Sequence, residues 1–186
     1  MRCFAVLSLC LAATSLCAQQ PEPPPHDSAR AESLPAPLPP PPPSPEQRRF
    51  LSGLRTATRG IAQLKDGVSR VTRAGTTRDS AVQLRAGRLL AGLCGSSRAF
   101  MKRGRPQMTP TVYEDSVRLK ARRLVTQMDS LIASTPTCEQ RAAARPDSTV
   151  VELNKRMKTY DSALRDFRLA VGLPVKDDTS KTTKRP

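Results

Sequence analysis

Seven apolar positions, Phe50, Leu54, Ala57, Ile61, Leu64, Val68 and Val71, follow one another at spacings of 4, 3, 4, 3, 4 and 3. A stripe with that period belongs to a helix that lays one seam against a partner helix, and it excludes the two-residue alternation of a strand. Ser44-Pro45-Glu46-Gln47 precedes it as an N-cap, a proline at the first helical position and a Gln that closes a capping box. Ala74-Gly75-Thr76 ends it.

Three further segments read the same way. Thr76 is the expected cap of a second helix with Val82, Ala86, Leu89, Leu93, Ser96 and Phe100 on its seam; Leu90, Cys94, Ser97 and Met101 widen that face. Gly104-Arg105-Pro106 stops it, and Thr111 to Glu114 reads as a capping box before Val117, Ala121, Leu124, Met128 and Leu131. Pro136 marks the expected end of this third helix. Thr149 to Glu152 reads as the opening of a fourth, whose seam is Val150, Leu153, Met157, Tyr160, Leu164, Phe167 and Val171. Gly172 and Pro174 close it. Asp66–Arg70, Glu114–Arg118, Glu152–Arg156 and Asp161–Arg165 are acid-to-base pairs of favourable polarity at i,i+4.

The expected fold is therefore all-α: an antiparallel four-helix bundle, up-down-up-down, over residues 46–172, with helices at 46–74, 77–104, 111–134 and 149–171. Extended helical hairpins that form a homodimer are the alternative. A domain of this length buries a core without help from a metal or cofactor.

Outside the bundle the composition changes. Arg2, an apolar run from Cys3 to Cys17 and Ala18 before a polar stretch read as a secretory signal peptide over residues 1–18. The run is shorter than the ~20 residues a membrane span requires, so no transmembrane span is expected after processing. Acylation at Cys17 is the alternative, disfavoured by the bulky Leu16 just before it. Residues 19–45 hold twelve of the eighteen prolines, which excludes helix or sheet interior and implies a disordered, extended tether. At ~3.1 Å per residue its reach is on the order of 80 Å. Residues 173–186 read as a disordered basic tail. The chain is thus expected to be exported, periplasmic or secreted.

Export constrains the cysteines. Removing residues 1–18 takes three of the five, leaving Cys94 and Cys138 as a candidate disulfide in an oxidising compartment. The simple bundle makes that bond difficult, because Cys138 falls at the end where helix two begins and Cys94 lies ~24 Å down that helix. Either helix three ends near Leu131 and its loop folds back, or the bridge joins two chains. An intramolecular bond is the favoured reading.

Chemistry is sparse. His26 is the single histidine and lies in the tether, so the folded part has no imidazole for a metal, a haem or a serine nucleophile. Glu114, Asp115, Asp129 and Asp161 sit off the core seams and read as partners of nearby arginines. No enzyme, no cofactor and no metal are expected. The few aromatic residues are assigned to the core, which leaves no rings for base stacking and argues against sequence-specific nucleic-acid recognition.

Two features point to binding. The full chain carries a net charge of +15 at pH 7, or +14 once Arg2 is removed with the signal peptide, and such a surface attracts polyanions. Its sharpest knob is Arg98, Lys102, Arg103 and Arg105, the candidate polyanion-binding residues. Gly53, Gly60 and Gly67 recur every seven residues along helix one, either because helix two approaches closely or because a shallow groove runs there. The expected function is a non-enzymatic exported protein that docks on an anionic cell-envelope polymer or an envelope protein. The alternative is a periplasmic chaperone or helix-binding adaptor using the glycine groove.

Overall fold

The computed structural model describes residues 42–175. The expected signal peptide, nearly all of the proline-rich tether and most of the tail lie outside these residues. Within them the chain is all-helical, a bundle of four helices: α1 (Pro45–Gly75), α2 (Ser80–Gly104), α3 (Asp115–Arg141) and α4 (Pro146–Ala170). No strand occurs among the described residues.

α1 forms as its sequence dictates. The Ser44 hydroxyl accepts from the Gln47 backbone N–H at 3.2 Å, and the Gln47 side chain accepts from the Ser44 N–H at 2.9 Å. This reciprocal cap satisfies two of the donors every helix start leaves open. All seven seam residues are buried, as are Gly53, Gly60 and Gly67 beside them.

The three later helix starts differ from expectation. α2 begins at Ser80 and is capped by Asp79, whose carboxylate accepts from Ala81 and Val82 N–H at 2.8 and 3.3 Å. Thr76 and Thr77 instead close α1, donating to the Arg73 and Ala74 carbonyls at 2.7 and 2.8 Å. The capping box expected at Thr111 to Glu114 does not form, and Thr149 does not open α4. Thr111 lies in a 3₁₀ turn, Pro110–Val112, and α3 starts only at Asp115. α4 starts three residues before Thr149, with Pro146 at its first position, and the Thr149 hydroxyl bonds back to the Arg145 carbonyl at 2.8 Å. A carboxylate caps α2 and a proline opens α4, whereas α3 starts without a side-chain cap.

Pro136 does not end α3, which runs through it to Arg141. Proline deprives the Ile132 carbonyl of its N–H donor. The buried Thr135 hydroxyl supplies the missing bond at 2.7 Å. The helix survives because one side chain replaces one backbone donor.

α1 and α2 run antiparallel in a fixed heptad register. Gly53 faces Gly104, Gly60 faces Ser97 and Gly67 faces Leu90, so both helices step by seven. A Cβ on Gly53 or Gly60 would stand 2.6 Å from the facing carbonyl oxygen of Gly104 or Ser97. The backbones are therefore too close for any side chain between them.

The connection from α2 to α3 is longer than a hairpin turn. Residues 105–114, which we call the strap, continue along α1 in the direction of α2, through the 3₁₀ turns Arg105–Gln107 and Pro110–Val112. Gln107 and Met108 reach Gly53, and Met108 is fully buried. Tyr113 packs edge-on against Phe50 and Phe167, with ring centroids 5.1 and 5.4 Å apart. Only after this anchor does the chain reverse into α3. α4 then returns antiparallel to α1, with Phe167 near Phe50 and Asp161 bonded to Lys65.

Candidate functional site

The strap resolves the cysteine difficulty. Cys94 lies ten residues before the end of α2, whereas Cys138 lies twenty-three residues into α3. A tight hairpin would leave them about 20 Å apart along the axis at 1.5 Å per residue. The strap shifts α3 by that amount, so its last turns lie beside the middle of α2. Cys94 and Cys138, both buried, form an intrachain disulfide with Cα atoms 6.1 Å apart, inside the range that such a bond spans. α3 neither ends near Leu131 nor leaves Cys138 in a loop, which corrects the expected geometry while keeping the expected pairing.

The glycine stripe is not a groove. α2 covers Gly53, Gly60 and Gly67, and every one of them is buried against it. Close approach of the two helices accounts for the whole stripe. A ligand or client helix has no access there.

The basic knob divides. Arg98 pairs with Glu139 of α3 at 2.9 Å. Arg105 makes a two-pronged bond to Asp129, at 2.7 and 2.9 Å. Those two guanidinium groups hold the strap end and the middle of α2 to α3. Lys102 and Arg103 are exposed; Arg103 lies over the Phe100 ring, 6.0 Å from its centre. Two of the four candidate residues are thus free for an external anion, and two are committed within the chain.

The remaining acids are largely spent inside the bundle. Lys65–Asp161, Arg70–Asp66, Arg123–Asp166 and Arg156–Glu152 complete six ion pairs among the described residues. Two of the four expected i,i+4 pairs appear, Asp66–Arg70 and Glu152–Arg156. Asp161 turns across to Lys65 instead, and Arg118 donates to the Tyr113 carbonyl at 2.8 Å. α2 is different in kind: residues 80–104 contain no Asp or Glu, and Arg85, Arg88, Lys102 and Arg103 are all exposed. None of these four has an acidic partner among the described residues.

α2 also departs from its expected burial. Leu90, Cys94, Ser97 and Met101, read as the widening of the face, are its fully buried residues. The seam itself lies along the outer groove with α1: Val82 and Leu89 are 37% and 44% exposed, and Ala86, Leu93 and Phe100 are half-buried. Phe100 is therefore not a core ring.

Two buried hydroxyls complete the inventory. Tyr113 and Tyr160 have no hydrogen-bond partner among the described residues, and burial pushes each phenol up to about 12. The Thr58 hydroxyl beside Tyr160 donates to the Leu54 carbonyl at 2.8 Å and leaves the phenol unpartnered. Among the described residues no three His, Cys, Asp or Glu come together as a metal set, and no helix is long and apolar enough to cross a membrane.

Comparison with protein family models, with curated proteins and with solved structures gives no match.

Proposed function

We propose that this chain is a non-enzymatic exported protein that docks on an anionic polymer of the cell envelope. In this reading residues 1–18 direct export, residues 19–45 space the bundle, and α2 is the contact surface. The observation that carries it is the acid-free helix: Arg85, Arg88, Lys102 and Arg103 stand exposed along α2 without a carboxylate on the same helix. Twenty-five basic side chains face eleven acidic ones over residues 42–175, so the surplus cannot be neutralised internally. Guanidinium groups are suited to phosphate and carboxylate because they present paired donors in one plane.

The contact set differs from the one the sequence suggested. Lys102 and Arg103 stay in it; Arg98 and Arg105 leave it, because Glu139 and Asp129 already hold them. Arg85 and Arg88 join it. Co-sedimentation of residues 19–186 with purified cell wall, lipopolysaccharide and DNA across a salt series tests the proposal. Binding to one envelope polymer that weakens with salt supports it. Equal binding to all three reduces it to generic polyanion affinity, and no binding at physiological salt overturns it.

A further inference from the structure

The outer groove between α1 and α2 leaves Val82 and Leu89 37% and 44% exposed. Along it runs the α2 stripe Val82, Ala86, Leu89, Leu93, Ser96 and Phe100, spaced 4, 3, 4, 3 and 4, of which Leu93 and Phe100 also pack on Gly67 and Gly60 of α1. The stripe is an unbroken heptad seam, about 27 Å long at 1.5 Å per residue. At its open end, between Arg70, Arg73, Val82, Arg85 and Leu89, lies a shallow, solvent-open depression of about 550 Å³.

We infer that this groove receives one amphipathic helix with acidic flanks, supplied by a partner protein. The periodicity selects a helix, because a seam that repeats every seven residues along two packed helices is completed by a third helix carrying the same repeat. The rim selects its charge. Arg70 and Arg73 of α1 and Arg85 of α2 border the apolar floor, and Asp66 is the acid paired with Arg70. Arg73 and Arg85 have no acidic partner among the described residues. A second copy of this chain would bring its own arginines against these, and like charges across an interface disfavour that pairing. A helix with Leu-type residues on its seam and Glu or Asp beside them satisfies both.

This site shares Arg85 with the polymer-docking surface but not Leu89, so Leu89→Ser separates the two. The full chain is titrated into a fluorescent synthetic helix of about four heptads with Leu at a and d and Glu at e and g; the control peptide has Lys at e and g. The Glu peptide binds, and the Lys peptide binds at least about tenfold more weakly. Leu89→Ser and the pair Arg73→Glu with Arg85→Glu each weaken the Glu peptide about tenfold or more. Leu89→Ser leaves polymer co-sedimentation unchanged, and because Leu89 is half-exposed the fold tolerates the change. Equal binding of both peptides, no binding of either, or indifference to Leu89→Ser overturns the proposal. Leu89-dependent capture by phosphatidylglycerol vesicles without peptide binding also overturns it, and assigns the groove to a lipid surface.

Discussion

The Thr135 hydroxyl donates a 2.7 Å hydrogen bond to the Ile132 carbonyl, the acceptor that Pro136 leaves without its helical donor. That one contact lets α3 continue to Arg141 and carry Cys138 alongside Cys94. Replacing Thr135 with Val keeps the shape and removes the donor. The expected cost is about 1–2 kcal/mol, because a part-buried carbonyl loses its partner. With Pro136→Ala the backbone N–H returns, so Thr135→Val in that background should cost less than about 1 kcal/mol. Urea unfolding of the four variants measures this coupling, and equal costs in both backgrounds would refute the compensation.

The disulfide joins residues 44 apart in sequence. Loop-closure entropy for a ring of that size contributes on the order of 4 kcal/mol. Reduction should lower the melting temperature by about 15 °C for a domain of this length. Because both sulfurs are buried, reduction by a mild thiol should be slow below the melting range and fast once the bundle opens. Thiol labelling against temperature follows both.

Glycines on the two helices predict opposite signs for one chemical change. A Cβ at Gly60 would stand 2.6 Å from the Ser97 carbonyl oxygen, whereas one at Gly92 meets nothing within 4 Å. Gly60→Ala should destabilise by about 1–3 kcal/mol as the helices are pushed apart. Gly92→Ala should stabilise by about 0.5–1 kcal/mol through helix propensity alone. Calorimetry of both variants reads the difference.

Tyr113 and Tyr160 are the chain's two tyrosines, and there is no tryptophan, so absorbance near 295 nm reports them alone. Burial raises both to about 12, above the ordinary value near 10. The folded state holds these protons more tightly than the unfolded one. Their contribution to stability is therefore fully present below about pH 10 and is lost as pH rises through about 12. Tyrosinate should appear together with unfolding rather than before it. Tyr160→Phe removes an unpartnered hydroxyl and should leave stability unchanged or slightly higher.

Most of the fold was legible in the residues. The α1 seam has one reading because apolar period and capping box agree there, and the α4 seam is carried by its period alone. The α3 boundaries were not legible: Pro136 is a helix stop on propensity alone, and only the tertiary position of Thr135 overrides it. The strap was hidden for a similar reason, since Met108 buries itself beside Gly53 and Tyr113 against Phe50 and Phe167, all distant in sequence. On the binding surface, the charges of α2 could be read directly. Which of them were free could not, because Glu139 and Asp129 reach Arg98 and Arg105 only after α3 is displaced.

The most direct test of polymer docking by α2 compares two variants in the salt series. Arg85, Arg88, Lys102 and Arg103 are changed to Ala in one, and Arg98 and Arg105 in the other. The account predicts that the first flattens the dependence of binding on salt, losing up to about four counterions' worth of slope. The second keeps the wild-type slope, with a stability cost of about 1 kcal/mol or less for each exposed pair. An unchanged slope in the first variant, or a loss confined to the second, would contradict it.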